Sequence, residues 1–358
     1  MTNIVSFDVA SRRQTAEVRH AALMQCFARE RRIPDDVFWL KENAELLNIL
    51  ECSGARLDAG ALSAYQSFYD GVENRLRFFP QYYRFLLSIC LDLEDLGMPG
   101  DKGQALVEWV AEQGFARAEL SDLQRMEARR LMLRRGVDPL AEDGGLEERM
   151  RRFMARSATF SMPNKKAAYE LTHAVFYLSE YGRRDPALDG DTRLSLEFAG
   201  LLAFLEQNAD LLAEICIALR YGGFEVPEIW DTWLMRHSCR FAIESGARAP
   251  AADDYHEFLV CNWMLAVCGH HAFARPVKPG PTGFFRPEAG AGPLRELSEC
   301  MFRLEDRSGD WQQMRPIVLG RLSEGAASQL CRAEHSTDRF GVFFQGFARS
   351  GSAMGAAG

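Results

Sequence analysis

Six apolar segments of this chain each end on a glycine, and these glycines recur at intervals of 43, 39, 46, 40 and 47 residues. A glycine directly after a helix adopts the positive φ of a left-handed C-cap without a steric penalty. Proline follows soon after in five of the six cases and prevents the helix from continuing. The terminal glycines are Gly54, Gly97, Gly136, Gly182, Gly222 and Gly269.

The regular spacing predicts the fold class. Strand-type alternation is weak along the whole chain, and second helical segments such as TRLSLEFAGLLAFLEQ lie between the glycine-ended ones. A period of about 40–47 residues with two helices per repeat is typical of α-solenoids and α/α toroids. We therefore predict an all-α fold of about six repeated helical hairpins, arranged as an α/α toroid or an α-solenoid.

Composition shifts along the chain predict its domain organisation. We expect an Arg-rich amphipathic cap helix, a helical-hairpin repeat domain, a Pro/Gly linker, a C-terminal helical segment and a flexible tail. The corresponding ranges are 1–32, 33–274, 275–293, 294–340 and 341–358.

Charge and cysteine usage narrow the possible partners. The net charge of −8 argues against nucleic acid, whose phosphates require a cationic surface. The start MTNIVSFDVASRRQ lacks the pattern of a signal peptide, and no apolar run approaches the roughly 18 residues that span a bilayer. Nine cysteines occur without a CxxC pair, which is typical of a reducing compartment. We predict a cytoplasmic protein, without membrane contact, that binds a small molecule or a protein or peptide.

Polar residues that interrupt the apolar repeat helices are the candidate site. The chain contains no phosphate-binding loop, dinucleotide fingerprint, GxSxG or HExxH motif. Counted back from each terminal glycine, the candidate residues lie between eight and thirteen positions upstream. If equivalent helices lie side by side in register, these residues occupy neighbouring turns. They are Glu170, His173, Asp210, Glu214 and His256.

Two histidines and several carboxylates at one level indicate two kinds of chemistry. They are suitable ligands for a divalent metal such as Zn, Mn or Fe, and we predict His173, His256, Glu170 and Glu214 as metal ligands. Without a metal, we predict that His173, His256, Glu214 and Asp210 act as catalytic acids and bases. The alternative is structural: core histidines with hydrogen-bonded neighbours, and acids such as Asp210 that stabilise a helix N-terminus.

Two further patterns have ordinary structural explanations. Asp253-Asp254-Tyr-His-Glu257 matches the DDxxE metal motif of class I terpene synthases, but a helix N-terminus with capping acids explains the same letters. The Arg-dense stretch from Arg125 to Arg156 is interleaved with glutamates and indicates a solvated face of ion pairs.

Three strings resemble an uncharacterised bacterial all-helical family of unknown function. They are THAVFYLSEYG (172–182), DLLAEICIALRYGG (210–223) and DYH (254–256), within a resemblance that covers about residues 165–270. The consensus that we associate with this family is Thr-His-x-x-Phe-Tyr-x-Thr-Asp-Phe-Gly, and Ser179-Glu180-Tyr181 replaces its Thr-Asp-Phe portion here. The resemblance implies that His173, Asp210, Glu214 and His256 belong to a recurring pattern, and it implies no activity.

Two function classes therefore remain open. The first is an enzyme or small-molecule-binding protein with an interior histidine and carboxylate site, with or without a metal. The second is an interaction scaffold that binds a protein or peptide on a concave surface. The direction of the polar side chains discriminates between them, because convergent ionisable groups support the first class and separately buried or capped groups support the second.

Overall fold

The computed structural model of the chain describes residues 15–34, 36–57, 59–246, 252–288, 290 and 292–350. Within these residues almost all regular structure is helical, which confirms the predicted all-α class. The chain divides into two compact units. Unit 1 comprises Met1–Val107, Ala242–Tyr255 and Gly269–Phe285, and unit 2 comprises Glu108–Phe241, His256–Cys268 and Arg286–Gly358. These boundaries cross the single repeat domain that we predicted for residues 33–274.

Unit 1 is built from helices and one small antiparallel sheet. Strand β1 pairs with strand β2, with Ala242 opposite Phe285. A π-helical turn (Cys26–Glu30) and two 3₁₀ turns (Ser63–Tyr65 and Pro80–Tyr82) lie among the helices. The helices and strands are α1 (Ala16–Gln25), α2 (Val37–Cys52), α3 (Ala59–Leu62), α4 (Gln66–Phe78), α5 (Tyr83–Asp95), the start of α6 (Lys102–Glu112), β1 (Ala242–Ser245) and β2 (Thr282–Phe285).

All the regular secondary structure in the described residues of unit 2 is helical, and the helices are joined by loops and turns. It contains the end of α6 and, from its second residue onward, α15 (Tyr255–Val267). No helix in the described part of the chain is both long and apolar enough to cross a bilayer. The other helices of unit 2 are α7 (Phe115–Ala118), α8 (Asp122–Leu133), α9 (Leu146–Met154), α10 (Ser157–Phe160), α11 (Lys165–Leu178), α12 (Gly190–Glu206), α13 (Ala209–Tyr221), α14 (Glu228–Cys239), α16 (Leu294–Arg303), α17 (Trp311–Leu319), α18 (Glu324–Glu334) and α19 (Phe340–Ala348).

The predicted glycine caps are confirmed at four of the six positions, where the glycine has a φ between +66° and +104°. Gly182 also has a positive φ, but α11 ends earlier, at Leu178, and the first left-handed residue after it is Glu180. The sixth differs by one residue: Gly222 has a φ of −80°, and the left-handed residue is Gly223 at +73°. The same local motif recurs after several of these helices, since the N–H of the residue directly after the left-handed glycine donates to the carbonyl five residues earlier. Examples are Met98 N to Leu93 O at 2.9 Å and Val137 N to Met132 O at 3.2 Å.

Replacing Gly136 by alanine tests the cap directly. No atom lies within 4 Å of an added Cβ, so the only cost is the left-handed backbone at φ +76°. We expect the free energy of unfolding to fall by about 1–2 kcal/mol. Gly144→Ala is the matched control, because that position is equally open and its φ is not in the left-handed range. Equal urea-unfolding midpoints for the two variants would refute the capping role.

A buried arginine organises the described part of unit 1. Arg31 Nε lies 2.8 Å from Glu42 Oε2, and Arg31 Nη1 lies 2.8 Å from Asp253 Oδ2 and donates to the carbonyl of Thr282. Its guanidinium carbon lies 4.9 Å from the ring centroid of Phe27. Asp253, part of the DDxxE match, is therefore an ion-pair partner within unit 1.

The segment 275–293 differs from the predicted linker. Its described residues contain no helix, but β2 lies within it and Phe284 is fully buried. The backbone pairing with β1 and the contact between the Phe27 and Phe284 rings, 5.6 Å apart, hold the part of this segment up to Phe285 in unit 1, and the residues from Arg286 onward belong to unit 2.

The predicted C-terminal segments are partly different as well. Residues 294–340 are mainly helical. Helix α19, however, occupies most of the first half of the predicted flexible tail, because its phenylalanines recur at helical spacing and are buried. Residues 351–358 of that tail, and residues 1–14 of the predicted cap helix, lie outside the described residues.

An aromatic cluster in unit 2 fixes the three helices that carry the candidate site. The ring centroid of Phe176 on α11 lies 4.8 Å from that of Trp263 on α15 and 6.1 Å from that of Tyr221 on α13. Asn164 and Asn208 cap the N-termini of α11 and α13 through their side-chain oxygens. The three helices are thus held together within two turns of the candidate residues.

Candidate functional site

Three of the predicted residues converge in unit 2. Asp210 and Glu214 lie one turn apart on α13, and His256 lies on the first turn of α15. Their potential ligand atoms all lie within 4.8 Å of one another. His256 Nε2 is 3.2 Å from Asp210 Oδ1 and 3.9 Å from Glu214 Oε1. One imidazole nitrogen therefore faces one oxygen of each carboxylate.

The two predicted residues on α11 are placed differently. His173 Nε2 lies 4.0 Å from Glu214 Oε1, so this histidine borders the group of three without joining it. Glu170 is partly exposed, and its carboxylate lies 3.9 Å from Lys166 Nζ, one turn earlier on the same helix. The structure thus brings together three of the five candidates, places His173 at their border and leaves Glu170 in a surface ion pair.

Two hydroxyl groups that the sequence analysis did not identify hold the other carboxylate oxygens. Tyr169 donates a hydrogen bond of 2.7 Å to Asp210 Oδ2, and Thr172 Oγ1 lies 2.5 Å from Glu214 Oε2. The spacing in the sequence could have identified Tyr169. It lies thirteen residues before Gly182, and His256 lies thirteen residues before Gly269. Each carboxylate consequently has one oxygen fixed by a hydroxyl and one directed towards His256.

The carboxylates are buried and the histidines are not. The Glu214 side chain is 3% exposed, whereas the side chains of His173 and His256 are 38% and 39% exposed. The Asp210 Oδ1 atom is fully buried and accepts no well-directed hydrogen bond from the described residues, although His256 Nε2 is nearby. The predicted interior site is therefore open to solvent on its histidine side.

The environment keeps Asp210 ionised. Burial acts to raise the pKa of Asp210, but the contact with His256, the positive charge of that histidine and the hydrogen bond from Tyr169 together outweigh it and lower the pKa. Burial and the charge of Asp210 raise the pKa of Tyr169, so the phenol keeps its proton and remains a donor. The pair is thus a carboxylate that accepts and a phenol that donates.

Comparison with known families places the chain in one of them. A family model matches residues 1–350, and the family is described as Domain of unknown function (DUF6902). The chain belongs to this family. Membership in the DUF6902 family confirms the resemblance to an uncharacterised family of unknown function, while the Thr-His motif and the bacterial origin stay predictions. No curated protein and no solved structure gives a significant match to the chain.

Proposed function

We propose that the chain binds one divalent metal ion through Asp210, Glu214 and His256 and uses it in chemistry on a small molecule. The observation that carries this proposal is the orientation of the two carboxylates. Each presents one oxygen to His256 Nε2 while a hydroxyl group holds the other oxygen. Such outer partners orient the ligands of protein metal sites and are a regular part of their construction.

The spacing of the three side chains is compatible with an ion. Protein oxygen and nitrogen ligands bind zinc at about 2.0–2.2 Å, so two ligands of one ion lie at most about 4.4 Å apart. The three potential ligand atoms already lie within 4.8 Å, and closure therefore requires movements of less than about 1 Å. Two carboxylate oxygens and an imidazole nitrogen suit Zn²⁺, Mn²⁺ or Fe²⁺.

The buried Asp210 Oδ1 is a second reason to expect a cation. Among the described residues no well-directed donor reaches this oxygen, and a bound ion would give it a direct partner. When bound, the metal supplies a Lewis acid at the solvent-exposed side of the site. His173, 4.0 Å from Glu214 Oε1, then either completes the ligand set or accepts a proton from the substrate.

A metal-free acid–base site is the second candidate function. The observation that favours it is the 3.2 Å contact between His256 Nε2 and Asp210 Oδ1, because an ionised aspartate orients a histidine and stabilises its protonated form. The scaffold alternative is less well supported, since convergent ionisable groups are costly without a ligand.

For the fold, we also propose that the helical hairpins are arranged as an α/α toroid or an α-solenoid.

Metal analysis of protein purified without chelator tests the proposal. We expect close to one equivalent of Zn, Mn or Fe in the wild type and less than about a tenth of that in His256→Ala. Loss of an outer partner lowers metal affinity by about 10–100-fold, and loss of one of three ligands should lower it further. His335→Ala is the control, because His335 lies on the exposed end of α18 and bonds only its own helix.

Circular dichroism should show all three proteins equally helical. If the wild type contains no metal, and chelator-stripped protein takes up none of the three ions on titration, the metal-binding proposal is wrong and the acid–base alternative becomes the function to test.

A further inference from the structure

Arg130 on α8 carries a buried charge whose hydrogen-bonding capacity is not used. Its side chain is only 3% exposed. Nε and Nη1 are both buried, and neither donates a hydrogen bond to any residue that the structure describes. The nearest carboxylate oxygen, Glu180 Oε2, lies 3.8 Å from Nη1, which is too far for a hydrogen bond. A buried guanidinium with unsatisfied N–H groups calls for an acceptor.

Arg130 lies beside the candidate metal site. Its guanidinium carbon is 4.6 Å from the ring centroid of Tyr181 and 6.0 Å from that of Tyr177. The Tyr177 ring in turn stacks on His173, with centroids 6.0 Å apart and planes inclined by 9°. A single aromatic ring therefore separates the guanidinium from a histidine of the site.

A second unsatisfied donor belongs to the same aromatic cluster. Trp263, whose ring lies 5.7 Å from that of Tyr181, has a buried indole N–H without an acceptor among the described residues. Arg130 and Trp263 thus both place unused donors near the Tyr181 ring.

Glu180 is a weakly held partner of Arg130. Its side chain is 23% exposed, so the carboxylate can leave towards solvent more easily than the guanidinium can. Burial raises the pKa of Glu180 despite the opposing charge of Arg130, which indicates incomplete compensation of the carboxylate. Glu180 and Tyr181 also adopt left-handed conformations, with φ values of 49° and 53°, and this strain disfavours their present arrangement.

We infer that Arg130 is the anion-binding residue of a subsite next to the candidate metal site, and that an oxyanion group of a small molecule displaces the Glu180 carboxylate there. A guanidinium recognises carboxylate and phosphate groups through its planar array of N–H donors. Anion binding stands on the Arg130 geometry alone. The assignment of this anion as part of the substrate rests on the proposed function.

The substitution Glu180→Gln distinguishes an anion subsite at Arg130 from a simple Arg130–Glu180 ion pair. In a plain ion pair, Glu180→Gln leaves a buried cation without its partner, and the variant gains no affinity for anions. In an anion subsite, the substitution removes the competing carboxylate, and oxyanions bind more tightly. The double variant Arg130→Gln/Glu180→Gln removes both charges together, so no unpaired buried charge compromises its folding.

Calorimetric titration of the metal-free, full-length protein with inorganic phosphate and with acetate is the test. We expect at least one of these anions to bind Glu180→Gln at least about tenfold more tightly than the wild type, and to show no binding to the double variant. Arg149→Gln is the control, since Asp122 and Asp143 already hold that guanidinium, and its anion affinity should equal the wild type's.

Stronger binding of phosphate than of acetate would identify a phosphorylated ligand, and the reverse order a carboxylate. The inference is overturned if neither anion binds Glu180→Gln, or if the double variant binds as well as the single one. Because the protein is stripped of metal, either result is independent of the metal proposal.

Discussion

Asp210→Asn is expected to weaken zinc binding by at least about 100-fold. Loss of an outer partner of a metal ligand lowers the affinity by up to about 100-fold, and Asp210 is a proposed ligand itself. Asparagine preserves the shape of the side chain and an oxygen that can accept the Tyr169 hydrogen bond, but it removes the negative charge from the buried Oδ1 position. Competition with a coloured chelator measures the affinity. Asp189→Asn is the matched control. Asp189 caps the N-terminus of α12 outside the candidate site, and an asparagine can take over that capping role.

The same variant has a second expected effect, on stability against pH. The pKa of Asp210 is lowered in the folded chain, so its ionised form stabilises the fold above the unfolded-state pKa of about 3.9. That contribution is lost as the pH falls through the lower folded-state value. Metal-free Asp210→Asn should therefore be less stable than the wild type at pH 7, and the difference should vanish in strong acid. A difference that grows on acidification, or zinc affinity within a few-fold of the wild type, would contradict the assigned role.

Arg31→Ala is expected to reduce the free energy of unfolding by about 3–5 kcal/mol. The substitution leaves the buried carboxylates of Glu42 and Asp253 without their shared guanidinium, and it also removes the contact with the Phe27 ring. Urea unfolding followed by circular dichroism measures the loss. Arg29→Ala is the control, because Arg29 is exposed and bonds only the carbonyl of Ser63, and its effect should stay within about 0.5 kcal/mol. A loss of less than about 1 kcal/mol for Arg31→Ala would show that the carboxylates find other partners.

Much of the candidate site could be predicted because a local signal is repeated along the chain. A glycine that ends a helix fixes the position of every upstream residue relative to that end. Asp210 and Glu214 precede Gly222 by twelve and eight residues, and His256 precedes Gly269 by thirteen. Since α13 and α15 both end at such caps and lie together, similar distances from the caps place these side chains at a similar level.

What the sequence could not show depends on partners far apart in the chain. Arg31 and Asp253 are separated by 222 residues, and the local letters around Asp253 favour a helix cap rather than an ion pair with a distant arginine. Strand β2 consists of only four residues between breakers, and its burial depends on the distant strand β1. The role of Thr172 was hidden for a different reason, because a threonine within a helix ordinarily bonds its own backbone, as Thr172 also does with the Tyr169 carbonyl.

The difference in depth between the imidazoles and the carboxylates has a kinetic consequence. Solvent reaches His173 and His256 directly, whereas the oxygens of Asp210 and Glu214 lie beneath them. In the proposed metal site, an arriving ion would meet the imidazole nitrogens first and exchange its remaining water for carboxylate oxygens afterwards, and departure would follow the reverse order. The exposed imidazoles would therefore mainly set how fast the proposed ion exchanges with solvent, while the buried carboxylate oxygens would mainly set how tightly it is held at equilibrium.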